Sequence, residues 1–210
     1  MNWVPNAITI GRMLATPVVP VLALSTGTTW RYWACAAFVA LALSDALDGY
    51  LARRLKVVSN LGKLLDPVAD KLLMVATLLP IYAISHRGPP TELLPWWGEF
   101  PLWALLVILG REGLVTGFRL YSAKIGVVIS ADWTGKWKML IQSIFCGAAL
   151  LWYPLNLTAT EEGWSSQLWI QIRGIGEAIV GVSLAAALVL TIYSMAHYLW
   201  SYRTLLGAKP

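Results

Sequence analysis

The sequence predicts an all-α integral membrane protein, a single bundle of six transmembrane helices covering residues 1–210. Three observations predict it. The chain is 58% hydrophobic and only 13% charged, where a soluble domain carries about 45–50% apolar and about 25% charged residues. Six apolar stretches, roughly 7–25, 32–55, 61–85, 100–120, 133–153 and 175–201, each approach the ~20 residues that cross ~30 Å of hydrocarbon as a helix. With the N-terminus in the cytoplasm, thirteen of the sixteen Lys and Arg residues fall on the cytoplasmic side and only Arg31, Arg87 and Arg173 on the other, the bias that orients membrane proteins.

The first stretch is the weakest, interrupted by Arg12, Pro17 and Pro20. Its start, 6–12, reads as a segment along the membrane surface before the chain turns inward. The second ends, and the third begins, in a run of acids. The fourth carries Arg111, Glu112 and Arg119 toward its cytoplasmic half, and the fifth opens on Gly135-Lys136-Trp137-Lys138. Segments 26–29, 87–90 and 156–173 read as loops. Trp30, Trp33, Trp96, Trp97, Trp133, Trp164, Trp169 and Trp200 fall near span ends, as an aromatic belt does. Cys35 and Cys146 lie in apolar runs without a Cys or His at ligand spacing and read as small core residues. The N-terminus lacks the charged region of a signal peptide, so the first stretch is expected to be retained. No basic, aromatic-interleaved surface segment accompanies the net charge of +5; it suits anionic lipid headgroups rather than nucleic acid.

Charge inside a span is costly and marks function by default. Four of the eleven carboxylates, Asp45, Asp48, Asp66 and Asp70, crowd the end of the second span and the start of the third. Spacings of three and four put each pair on one helix face. The short link between the spans predicts antiparallel neighbours, with both pairs at one depth near the cytoplasmic surface. Four carboxylates in one pocket require protonation or cations. All-oxygen ligands suit Mg²⁺ or Mn²⁺, and two ions about 3.5–4 Å apart are usual in phosphoryl chemistry. The plainer alternative is ion pairing with Arg53, Arg54, Lys63 and Lys71, which does not by itself require such clustering. Gly49, Ala52 and Gly62 accompany the acids; small residues there either admit a nucleotide or serve helix packing.

The order Asp45-x2-Asp48-Gly49-x2-Ala52-Arg53-x8-Gly62-x3-Asp66-x3-Asp70 resembles, at every fixed position, the signature of the CDP-alcohol phosphatidyltransferase family. The resemblance implies a six-helix membrane fold of that type, a homodimer, and an active site on the cytoplasmic face of a bacterial inner membrane. It implies that Asp45, Asp48 and Asp66 are metal ligands, and that Asp70 is the base activating the acceptor hydroxyl and also touches a metal. Gly49, Ala52, Arg53 and Gly62 would line the CDP site.

For the acceptor, Arg111 and Arg119 are about two turns apart, and Lys136 opens the next span. Cations around a polar pocket suit an acceptor carrying its own phosphate; for Lys124 and Lys138, ordinary positive charge at helix ends is the equal alternative. Arg111-Glu112-x6-Arg119, Gly135-Lys136-x-Lys138 and Pro5-Asn6-x2-Thr9-x2-Arg12 resemble the bacterial phosphatidylglycerophosphate synthases within that family, although Leu120 and Met139 depart from their pattern. That implies CDP-diacylglycerol and glycerol 3-phosphate as substrates, Asn6 with the CDP-lipid, and Thr9, Arg12, Arg111, Arg119 and Lys136 with the acceptor phosphate. Rival acceptors are inositol phosphate, serine or phosphatidylglycerol. A rival of another class, an ion or proton transporter, would string its acids across the membrane and repeat them in the second half; these gather at one end.

Overall fold

The computed structural model describes residues 4–55, 60–124 and 133–201, with side chains at 7–45, 67–118, 122, 133 and 135–201. It is helical throughout: α1 (Val4–Ala15), α2 (Val18–Ala23), α3 (Thr28–Leu55), α4 (Asn60–Arg87), α5 (Leu102–Lys124), α6 (Trp133–Glu161) and α7 (Gln167–Ser201), with a 3₁₀ turn at Pro90–Glu92. Among the described residues, extended pairing is confined to one bridge, Leu94 to Gly98.

Three stretches, Pro67–Arg87, Gly135–Glu161 and Gln167–Ser201, are long and apolar enough to cross a membrane. They correspond to the third, fifth and sixth expected spans. The distribution of side chains is the reverse of a soluble protein's. Leu14, Val21, Leu106, Leu168, Val189 and Ile192 point outward, while Thr9, Arg12, Thr77, Lys138, Gln142 and Thr191 are buried. Hydrocarbon solvates the former at no cost, and the interior supplies partners for the latter. The protein is an integral membrane protein.

The stretch 7–25 is two helices rather than one. Thr16 ends α1 with both its backbone N–H and its Oγ1 donating to the Arg12 carbonyl, at 2.9 and 2.8 Å. Pro17 then has no N–H to continue the ladder, and α2 restarts from Thr16 and Pro17 carbonyls. The break lets α1 wedge between α3 and α4, packing on each more extensively than those two pack on one another. Among the described residues, α1 thus touches both acid-bearing helices, which also meet each other.

The segment 156–173 is also corrected: only 162–166 interrupts the helices. Asn156 Nδ2, Thr158 Oγ1 and Thr160 Oγ1 each donate to the carbonyl four residues back, at 3.0, 2.8 and 2.8 Å. Polar residues lowered the hydropathy there without breaking the helix, because their side chains bond along it. Gly163, at φ +67°, makes the turn that any other residue would resist. Ser166 Oγ then accepts from Trp169 N at 3.2 Å, capping α7.

The 88–101 loop closes the far end of the bundle. Trp97 Nε1 donates to the Gly181 carbonyl at 3.2 Å and Trp152 Nε1 to the Leu93 carbonyl at 3.1 Å. A Cβ on Gly181 would lie 2.4 Å from the Trp96 ring, so that approach needs glycine. Beneath it sit Leu78, Ile81, Leu184 and the Phe100–Phe145 pair, with centroids 5.7 Å apart. Cys146 is buried in this core and Cys35 half-buried beside it. The aromatic belt is incomplete: Trp30, Trp33, Trp96, Trp133 and Trp200 are exposed, but Trp169 is buried against Trp164. His86, without an evident partner in the sequence, lies 3.5 Å from Glu99 and against the Tyr82 ring; His197 stacks on Tyr193.

Candidate active site

A cavity of about 350 Å³ opens where α3, α4, α5 and α6 converge. Asp45 from α3 and Asp70 from α4 form one wall; Arg111 and Glu112 from α5 and Lys136 and Lys138 from α6 form the facing one. Phe38, Ala42, Leu73, Met74, Val115 and Met139 supply apolar lining.

Arg12, on α1, organises the acid wall. Its side chain is 2% exposed, and its guanidinium bridges both acids, pairing through Nη1 with Asp45 Oδ1 and through Nη2 with Asp70 Oδ1, the latter at 2.9 Å. The wedge position of α1 makes this possible, since Arg12 reaches α3 on one side and α4 on the other. Such forked pairing holds two carboxylates at a fixed separation. Arg12 thus ties together the two acids of the cavity wall. Thr9, one turn earlier on α1, is buried. Neither lines the cavity directly.

The Asp45–Asp70 wall offers oxygen donors alone, which fits a hard divalent cation in kind. Asp48 and Asp66 lie on the same helices, one turn from Asp45 and Asp70, but their side chains are outside the described residues. Among the described residues no group of three or more His, Cys, Asp or Glu could hold a metal. Asn6, Gly49, Ala52, Arg53, Gly62, Arg119 and Lys124 also lie outside the described side chains.

The facing wall is cationic. Arg111 Nη1 donates to Glu112 Oε1 at 3.0 Å, and Lys138 Nζ, from the next helix, pairs with the same oxygen. Lys138 is the buried member, with 3% of its side chain exposed, whereas Lys136 is exposed at the cavity mouth. Helix spacing allows the difference: two residues apart are turned well away from one another on α6, so one side chain can be buried and the other exposed though both border the cavity. Arg111 Nε is buried and has no acceptor among the described residues, leaving a donor for an anion. Such a set suits a phosphate-bearing ligand.

Sequence reasoning passed over two cavity residues, Thr116 and Gln142, and named Lys71 only as a possible partner of the acids. Lys71, next to Asp70, reaches Thr116 on α5, and Thr116 Oγ1 donates to the Glu112 carbonyl at 2.6 Å. Gln142 donates to Thr191 on α7 at 3.2 Å. Signals for them existed. Thr116 is four residues after Glu112 and Gln142 four after Lys138, so each shares a face with a charged residue already singled out.

A model of the CDP-alcohol phosphatidyltransferase family matches residues 2–193. The chain is 36% identical over 184 residues to a CDP-diacylglycerol–glycerol-3-phosphate 3-phosphatidyltransferase of Cereibacter sphaeroides, covering 85% of this chain and 78% of that protein. It is 34% identical to the enzyme of that name from Bacillus subtilis, over 70% of this chain and 76% of the other. With the one from Escherichia coli it shares 30% identity over 95% and 94% of the two chains.

Proposed function

The chain belongs to the CDP-alcohol phosphatidyltransferase family, and on that premise we propose that it transfers a phosphatidyl group from CDP-diacylglycerol to sn-glycerol 3-phosphate. The products are phosphatidylglycerophosphate and CMP, a step of phospholipid biosynthesis, as the names of its relatives indicate for them. The observation that carries this reading is the two-walled cavity, with Asp45 and Asp70 facing Arg111, Lys136 and Lys138.

Each wall has a task. Arg111 and the lysines take the acceptor's phosphate by charge-assisted hydrogen bonds. The acceptor hydroxyl is then directed to the acid wall, where Asp70 takes its proton as the oxygen attacks the β-phosphorus. The new P–O bond forms as the bond to CMP breaks, and CMP leaves with the electron pair. Mg²⁺ or Mn²⁺, as two ions held by Asp45, Asp48, Asp66 and Asp70, would neutralise the pyrophosphate and the charge that develops on it. Asn6, Gly49, Ala52, Arg53 and Gly62 would bind the CDP-lipid, and Thr9, Arg12 and Arg119 would support the acceptor side. The apolar lining admits the glycerol and acyl portion of the lipid.

The wider reading is a six-span homodimer in a bacterial inner membrane with the cavity toward the cytoplasm. It is supported by the one-sided Lys and Arg distribution and by family membership. The test is CMP release by detergent-solubilised protein supplied with CDP-diacylglycerol, Mg²⁺ and one acceptor at a time. Glycerol 3-phosphate is expected to be the best acceptor, and EDTA to stop release. Faster release with inositol phosphate, serine or phosphatidylglycerol would move the acceptor assignment while leaving the chemistry.

A further inference from the structure

We infer that Glu112 is a positioning residue that clamps Arg111 and Lys138 into one phosphate-binding unit, an inference that rests on the acceptor reading above. The geometry points there because a single oxygen, Glu112 Oε1, is shared by cations from two different helices, Arg111 from α5 at 3.0 Å and Lys138 from α6. Lys138 is almost wholly buried, and among the described residues Glu112 is the only acid paired with it. A buried ammonium without a counter-charge is strongly unfavourable. Removing the carboxylate therefore leaves two cations repelling each other across the α5–α6 seam, and the ammonium turns away or gives up its proton.

Glu112 is itself held. Its backbone carbonyl accepts from Thr116 Oγ1 at 2.6 Å, and Thr116 is the partner of Lys71 from α4. Three helices thus meet at this residue. One ammonium N–H and one guanidinium N–H are taken up by the carboxylate. Arg111 Nε, buried and without an acceptor among the described residues, stays available beside Lys138 and the exposed Lys136 at the cavity mouth. An acid in the middle of an anion site opposes the anion by charge alone. Its presence is intelligible if orientation of the two donors outweighs that repulsion. Glu112 therefore selects an acceptor carrying a phosphate over a neutral alcohol, without itself touching the acceptor.

The test compares wild type, Glu112→Gln and Glu112→Asp in detergent by calorimetric titration of glycerol 3-phosphate, of glycerol and of CMP, alongside steady-state CMP release. Glu112→Gln is expected to weaken glycerol 3-phosphate binding and raise its KM about tenfold or more, the scale of a lost charge-assisted contact. CMP affinity and the KM for CDP-diacylglycerol should stay within about twofold, and Glu112→Asp, which keeps the charge, should recover most of the loss. Tighter glycerol 3-phosphate binding in Glu112→Gln would overturn the inference, showing that Glu112 only moderates charge. Equal losses for both substrates would overturn it as well. If Glu112→Gln does not fold, the double variant Glu112→Gln/Lys138→Met, which also removes the buried ammonium, takes its place; wild-type affinity for glycerol 3-phosphate in that variant refutes the clamp. If wild-type protein binds glycerol 3-phosphate but releases no CMP, the transferase reading fails while the binding comparison still decides the role of Glu112.

Discussion

Two arginine–carboxylate clusters, each with a largely buried charge, lie toward the two ends of α3, and they differ in what surrounds them. Toward its C-terminal part, Arg12 bridges Asp45 and Asp70 beside an open cavity. At its start, Arg31 pairs with Glu92 of the 3₁₀ turn, with 15% and 4% of the two side chains exposed. This second pair lies outside that cavity. A Cβ on Gly88 would fall 1.8 Å from Glu92 Oε2, so the carboxylate fills the space the glycine leaves. Burial of charge is common to both. What separates a reactive site from a clasp is room for a ligand beside the charges and a second charged wall facing them. The Arg31 pair borders no part of that cavity; it pins the loop between α4 and α5 to α3.

Substitutions that remove one charge from each cluster should break apart activity and stability. The largest expected effect is on the cavity side. Asp70→Asn should lower acceptor-dependent CMP release about 10²- to 10⁴-fold, the usual cost of losing a general base, while CDP-diacylglycerol binding persists at fixed Mg²⁺. Asp45→Asn, Asp48→Asn and Asp66→Asn should abolish turnover through metal loss, detectable as loss of Mn²⁺ binding in a membrane-inserted protein. If Asp70→Asn loses metal affinity as fully as Asp66→Asn does, Asp70 is principally a ligand. Retention of its full rate would place the base elsewhere.

Next in size is Glu92→Gln, which leaves Arg31 buried against a neutral amide. Breaking such a pair costs about 3–5 kcal/mol, read as a lowered midpoint in thermal unfolding in detergent. Activity per folded molecule should be unchanged. A selective fall in kcat at full stability would erase the distinction between the two clusters.

Arg111→Ala and Lys136→Ala should each raise KM for glycerol 3-phosphate about ten- to a hundredfold, since a hydrogen bond to a charged group is worth about 1.5–3 kcal/mol. KM for CDP-diacylglycerol should barely move. Equal shifts in both would assign these residues to the nucleotide.

The smallest effect sharpens the clasp side. Tyr153→Phe removes the hydrogen bond to the Ile81 carbonyl, 3.3 Å away in the core. About 1 kcal/mol of stability should go, with kinetics unaltered. A kinetic effect would mean that the far end of the bundle communicates with the cavity.

Local features carried much of the reading. Five of the six apolar stretches coincide with single long helices, because about twenty apolar residues in succession satisfy their backbone only as helix. The first did not, because two prolines and a back-bonding Thr16 interrupt the ladder while hydropathy stays high. The 156–173 segment failed in the opposite sense, since polar side chains lower hydropathy yet sustain α6 through bonds to their own backbone. Lys138 and Lys136 could not be ranked from the sequence, because nothing in their spacing says which face of α6 meets the cavity.

The sequence by itself determined the helical class, the membrane environment and the acid motif. Each is a property of residues one to four apart, or of composition, and follows from helix geometry alone. Only the tertiary structure decided the wedge of α1, the bridging of Asp45 and Asp70 by Arg12, and the salt bridges Lys138–Glu112 and Arg31–Glu92. Those partners are 33 and 58, then 26 and 61 residues apart. Their meeting depends on which helix faces pack together. In a bundle whose outer surface is solvated by lipid, that choice comes from shape, small residues and buried polar contacts, which hydropathy does not record.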